Sequence, residues 1–79
     1  MKITYDPRFN IAYIYLREKT AQVETIQVSD EMNVDIAPDG TIYGIELLDA
    51  NNQLGMDEQG KLTIVNEALG ESTEMRLLL

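Results

Sequence analysis

Two segments of this chain would form strands with apolar side chains on both faces, and this feature limits the folds that the chain can adopt. Segment 11–16 has the sequence Ile-Ala-Tyr-Ile-Tyr-Leu, and segment 41–48 has the sequence Thr-Ile-Tyr-Gly-Ile-Glu-Leu-Leu, with Glu46 as its lone charge. Successive side chains of a strand point to opposite faces, and a sheet with one solvated face alternates apolar and polar residues. We therefore expect both faces of these two strands to be covered, by the chain itself or by a second copy.

The rest of the chain also has a hydrophobic period of two, which predicts a mainly β fold. The predicted strands are 2–5, 11–16, 20–28, 32–36, 41–48, 61–66 and 71–77. Apolar residues of the third strand change face between Val23 and Ile26, so a bulge is predicted near Glu24. Pro38-Asp39-Gly40 is strong turn chemistry and predicts a hairpin between the fourth and fifth strands.

Short connections predict an antiparallel meander that ends in a C-terminal β-hairpin, with one short helical turn near residues 50–53. Within the C-terminal region, residues 64–69 are also compatible with a helix closed by Gly70. The run Thr63, Ile64 and Val65 is stiff at χ1 and favours the hairpin. At 79 residues the chain is predicted to form a single β-rich domain, 1–79.

The charge balance narrows the classes of partner. The chain has 6 Lys and Arg against 14 Asp and Glu, a formal net charge of −8. Nucleic acid and anionic membrane surfaces are disfavoured as partners, because both draw their affinity from Lys and Arg. A basic protein or a cation would be attracted, although the same charge also keeps a small domain soluble. With no apolar run near the length of a membrane helix and no leader-like N-terminus, we expect a cytoplasmic protein.

Histidine and cysteine are both absent. Disulfides, thiolate or imidazole metal sites, and the usual Ser-His and Cys-His nucleophile arrangements are therefore excluded. We expect no enzyme activity, no catalytic residues, no metal site and no cofactor. Asp49, Asn51 and Gln53 have the first spacings of a calcium loop, but Leu54 and Gly60 stand where Gly and Glu are required.

An acidic group surrounds the fourth predicted strand and is a candidate docking patch for a basic partner. It consists of Asp30, Glu31, Asp35 and Asp39. The alternative interpretation is edge protection, since charges on a sheet edge block the addition of further strands.

Five blocks of the sequence, in order and at suitable spacing, resemble a family catalogued only as domain of unknown function 2283. They are Lys-Ile-Thr-Tyr-Asp-Pro at 2–7, Ala-Tyr-Ile-Tyr-Leu at 12–16, Asn-Val-Asp-Ile at 33–36, Asp-Gly at 39–40 and Gly-Ile-Glu-Leu-Leu-Asp-Ala at 44–50. The resemblance covers residues 1–50 and leaves 51–79 as a C-terminal extension. It implies a small prokaryotic protein with no assigned activity, so no catalytic residue is carried over. Because genes of this family sometimes neighbour genes for small toxin-like proteins, the resemblance also implies an antitoxin-like or partner role.

The function expected from the sequence is protein association without catalysis, through a homodimer. Tyr13, Tyr15 and Tyr43 are the candidate interface residues, because aromatic residues are enriched at buried contacts. Two alternatives remain open. One is an acidic antitoxin-like subunit that binds a basic toxin, and the other is a small module that binds a ligand or a cation through its acidic turns.

Overall fold

The computed structural model describes residues 1–18, 22–55 and 60–77. Within these ranges the elements are β1 (Lys2–Asp6), β2 (Ile11–Tyr15), β3 (Glu24–Ser29), β4 (Met32–Ile36), β5 (Ile42–Leu48), α1 (Ala50–Gln53), β6 (Lys61–Asn66) and β7 (Glu71–Arg76). No helix in these ranges has the length and apolar character needed to cross a bilayer.

The strands form a five-stranded antiparallel sheet in the order β1-β2-β5-β4-β3 and a separate two-stranded sheet, β6-β7. The predicted mainly β class, the C-terminal β-hairpin and the helical turn at Ala50–Gln53 are confirmed. The alternative helix over 64–69 is wrong, since β6 continues to Asn66 and a turn follows it. Gly70 closes that turn at φ 67°, a left-handed angle that suits glycine.

The order of the strands differs from an uninterrupted meander, because β2 pairs with β5 and not with β3. Strands β3, β4 and β5 follow one another as hairpins, and β2 lies beside the last of them, as in a Greek key. The two strands that are apolar on both sides therefore lie together at the centre of the sheet. Ala12 pairs with Leu47 and Ile14 with Ile45.

The bulge predicted near Glu24 is wrong in its position. Strand β3 begins at Glu24, and the irregularity lies four residues further on, where Val28 has no partner on β4. Residues 22–23 precede the strand, so the change of face at Val23 occurs before pairing begins. The first residues of the predicted third strand, 20–21, lie outside the described ranges.

A second bulge lies in β5 and was not predicted. Asp35 pairs with Gly44 and the next residue, Ile36, pairs with Ile42, so Tyr43 is the extra residue. The bulge returns Ile42 to the same face as Ile36. At its N-terminal end, β5 therefore presents an apolar side chain on the same face of the sheet as the apolar residues of β4.

Two residues in the left-handed region hold α1 against the sheet. Asn10 has φ 56° and Asp49 has φ 50°. The Asn10 side chain donates to Asp49 Oδ1 at 3.2 Å and accepts from Asn51 N and the Tyr5 hydroxyl, each at 3.0 Å. Its carbonyl accepts from Ala50 N at 3.0 Å, and Ala50 is completely buried. Asn10 thus joins the turn between β1 and β2 to the start of α1.

We expect Asn10→Ala to lower the free energy of unfolding by about 2–4 kcal/mol, because alanine disfavours the left-handed angle and leaves the partners of Asn10 unpaired. Asn10→Gly restores the permitted angle and is expected to lose about 1–2 kcal/mol less. Urea titration of both variants at one protein concentration measures the difference. Equal losses for the two variants would show that backbone strain plays no part.

Candidate functional site

One face of the five-stranded sheet is apolar on every strand, and we call it the apolar face. Apart from Glu24 at its border and Ser29 in β3, the register places eleven apolar or aromatic side chains on it together. They are Ile3, Tyr5, Ala12, Ile14, Ile26, Met32, Val34, Ile36, Ile42, Ile45 and Leu47. The other face carries the alternate residues of the same strands, and we call it the polar face.

Within the described ranges, the chain covers only one end of the apolar face. There, Ala50 of α1 packs with Ala12 and Leu47, and Leu54 lies against the same cluster. No large side chain in the described ranges is fully buried. Away from that end, Ile26 on the outer strand β3 and Ile42 at the start of β5 are 45% and 41% exposed. A four-residue helix is therefore the main cover of a five-stranded face.

The whole chain is more extended than a compact monomer of its size. Its accessible surface is 5975 Å², whereas a folded monomer of this mass exposes about 4,800 Å². Its radius of gyration is 14.1 Å, against about 12 Å for a compact domain of this length. The excess of roughly 1,200 Å² is a total for the chain and includes the exposed β6-β7 hairpin.

The polar face carries a line of contacts that crosses the sheet. The Lys2 ammonium lies 4.3 Å from the centre of the Tyr15 ring, and the Tyr15 and Tyr13 ring centres are 4.3 Å apart. The Tyr13 hydroxyl donates to Asp35 Oδ2, and Thr25 Oγ1 donates to Asp35 Oδ1 at 2.6 Å. Asp35 is only 8% exposed, and both of its carboxylate oxygens accept a hydrogen bond within the sheet, as buried polar groups normally do.

Gly44 allows this line to pass over β5. A Cβ atom placed on Gly44 would lie 2.6 Å from Cζ of Tyr13, closer than real contacts allow. The absence of a side chain lets the Tyr13 ring cross from β2 to reach Asp35 on β4. Glycine is therefore favoured here because it leaves room for the Tyr13 ring, in a strand whose backbone does not need glycine.

The structure separates the three tyrosines predicted at an interface. Tyr13 and Tyr15 stack on the polar face, whereas Tyr43 lies at the bulge of β5 and is 8% exposed. The hydroxyl of Tyr13 is bonded within its own chain. Their part in an interface stays a prediction.

The structure also separates the four residues of the predicted acidic patch. Asp30 and Glu31 lie in the turn between β3 and β4, and Asp39 lies in the turn at the opposite end of β4. Asp35 is held between them by Tyr13. Hydrogen bonds from Thr41, led by its side chain, lower the pKa of Asp39 below its usual value. The docking role of this group stays a prediction.

Glu31 lies close to the carboxylate of Asp49. Desolvation raises the pKa of Glu31 above its ordinary value, and the charge of Asp49 and a hydrogen bond with it raise it further. Gln53 Nε2 donates to the Glu31 carbonyl at 2.6 Å, and Asn52 Nδ2 donates to Asp49 Oδ2 at 3.0 Å. Two acidic groups are thus brought together by the residues that anchor α1.

The residues with a partial calcium-loop spacing bond to each other and to the backbone. Asn51 Oδ1 accepts from Asn10 Nδ2 at 2.6 Å, and Gln53 donates to the Leu48 carbonyl at 2.5 Å. Across 1–18, 22–55 and 60–77, no group of three or more His, Cys, Asp or Glu side chains is placed to hold a metal ion.

Sequence reasoning missed the apolar face as a functional unit, because it concentrated on the tyrosines. The signal was available in β4, where Met32, Val34 and Ile36 alternate with polar residues. Placing these three beside the apolar residues of β5 requires the register, which the order of predicted elements alone does not give.

Comparison with known proteins identifies one family. The model of the family described as "Protein of unknown function (DUF2283)" matches residues 2–51 of the 79 residues, which confirms the resemblance noted from the sequence. No curated protein and no solved structure matches the chain. The matched range holds the whole five-stranded sheet, and the β6-β7 hairpin lies outside it.

We expect Gly44→Ala to destabilise the domain by about 1–3 kcal/mol, because the added methyl group displaces Tyr13 and leaves Asp35 without that donor. In a Tyr13→Ala background the same substitution is expected to cost much less. Urea unfolding of the four members of this double-mutant cycle measures the coupling. An equal cost in both backgrounds would mean that the ring is not the obstacle.

The raised pKa of Glu31 predicts a pH-dependent loss of stability. Its proton is favoured in the folded state, so the stabilising contribution is complete below the ordinary pKa of 4.5 and is lost as the pH rises through the folded-state pKa. Glu31→Gln should therefore be more stable than the parent at pH 7, with the difference vanishing below about pH 4.5. Thermal melts of Glu31→Gln and of Glu71→Gln, which removes an equal charge from the hairpin, test this. A similar gain in both variants would assign the effect to net charge alone.

Proposed function

The chain belongs to the DUF2283 family of proteins of unknown function, and because that description assigns no activity, we propose that the domain works by protein association, as a homodimer that covers its apolar face. The observation that carries the proposal is the incomplete cover of that face, on which Ile26 and Ile42 are 45% and 41% exposed. The chain in total exposes roughly 1,200 Å² more than a compact monomer, which exceeds the ~800 Å² that each partner buries in a standard interface. A second copy of the chain supplies the missing cover without any other component.

The distribution of charge supports the same proposal. The chain carries a net charge of −8, yet apart from Glu24 at the border none of the side chains on the apolar face is charged. Burying the face inside this border against a second copy leaves no carboxylate without a partner, which would otherwise cost several kcal/mol. The remaining charges stay in water, where the repulsion between two acidic copies is screened by salt.

The polar face has less need of a partner. Asp35 and Tyr13 satisfy each other, and Asn33 Nδ2 donates to Glu46 Oε1 at 2.9 Å on the same face. For this reason we place the interface on the apolar face and not at Tyr13 and Tyr15. The proposal remains one of a non-enzymatic domain, and the separation of the acidic residues gives the antitoxin-like and cation-binding alternatives no added support.

The test uses two neighbouring residues of β3 that point to opposite faces. Ile26 is 45% exposed on the apolar face, and Gln27 is exposed on the polar face. We expect the parent chain to sediment as a dimer at micromolar concentration. Ile26→Asp should raise the dissociation constant on the order of 100-fold, because it buries an unpaired carboxylate.

Gln27→Asp is the matched control, since it adds the same charge to the same strand and should leave the dimer intact. Circular dichroism of both variants establishes that each still folds. A parent chain with the mass of one copy at micromolar concentration contradicts the proposal. Equal weakening by the two variants would place the interface elsewhere.

A further inference from the structure

The β6-β7 hairpin has one apolar side and one charged side. The register places Leu62 opposite Met75 and Ile64 opposite Thr73, so these four uncharged residues share a side. On the other side Lys61 pairs with Arg76 and Thr63 with Glu74. Lys61 Nζ also lies 3.9 Å from Glu74 Oε2. The apolar side ends at the tip, where Asn66 pairs with Glu71, so the hairpin is amphipathic from its base to the Ile64–Thr73 pair.

The apolar side of the hairpin is not covered by its own sheet. Every residue of β7 is exposed, and so are the last four residues of β6. Ile64 and Met75 are 51% and 49% exposed. Within the described ranges β6 and β7 pack on each other, and neither is in extensive contact with a strand of the five-stranded sheet. Because a lone two-stranded hairpin is at best marginally stable in water, this one needs a surface to pack on.

We propose that the hairpin of each chain packs through its apolar side on the apolar face of a second copy, so that the dimer forms by reciprocal exchange of hairpins. This inference rests on the homodimer proposed above and names its arrangement. One chain carries both uncovered surfaces, and exchange about a two-fold axis covers both surfaces of both chains at once. Direct packing of sheet on sheet would leave Ile64 and Met75 in water.

Size and charge agree with this arrangement. A strand of six residues is about 20 Å long, which matches the five to seven residues of the strands that form the apolar face. Neither the four shared residues of the hairpin nor the centre of the apolar face carries a charge. Glu67 and Glu71 lie at the tip of the hairpin, where they can stay in water at the rim of the contact.

The absence of cysteine from the sequence permits a direct test. Val34→Cys marks the apolar face, Ile64→Cys marks the apolar side of the hairpin, and Gln27→Cys marks the polar face. Differently tagged chains are co-expressed in pairs and treated with a short bismaleimide, because stacked sheets lie about 10 Å apart. We expect covalent dimers that carry both tags from Val34→Cys with Ile64→Cys, and none from Gln27→Cys with Ile64→Cys.

Other outcomes separate the two proposals. Covalent dimers from Val34→Cys alone, with none in the mixture with Ile64→Cys, would overturn the exchange and keep the homodimer with its sheets packed directly. A Val34→Cys/Ile64→Cys chain that links within itself and sediments as one copy would overturn both proposals. So would the absence of any cross-link between the cysteine variants, together with a parent chain that sediments as one copy.

Discussion

The pairing of β2 with β5 is the interaction on which the rest of the sheet depends. Both strands carry apolar side chains on both faces, so neither is suited to the edge of a sheet. Once they lie together at the centre, the first hairpin extends the sheet on one side and β4 and β3 extend it on the other. The same pairing places Ile14 beside Ile45 and Ala12 beside Leu47. The centre of the sheet thereby acquires an apolar surface that one short helix covers only at one end.

Much of the local structure could be predicted from the sequence. Alternation located β1, β2, β4 and β5 to within one residue at each end, and the Pro38-Asp39-Gly40 turn predicted the hairpin that joins β4 to β5. The helical turn at Ala50–Gln53 was also predicted. These features depend on neighbours in the chain, so residue types and short spacings carry enough information.

The remaining features depend on residues that are distant in sequence. The pairing of β2 with β5 places Tyr13 over Gly44, and this contact explains a glycine that the pattern of β5 does not. Asn10 meets Asp49 across 39 positions, and although both residue types tolerate a left-handed angle, the sequence does not show that the two bond to each other. The tyrosines appeared to be interface residues because they are aromatic. Their neighbours in the fold include Lys2 and Asp35, which make contacts for them within the chain.

The bulge at Val28 lies on an outer strand, where the backbone of a neighbouring molecule would otherwise add to the ladder. An extra residue at this position twists β3 and interrupts the regular succession of donors and acceptors that an incoming strand needs. At the opposite margin, β1 begins with the charged Lys2 and ends at Asp6, just before Pro7. Growth by lateral addition into a filament is therefore discouraged at both margins. Contact between broad surfaces is the kind of association that these two margins leave open.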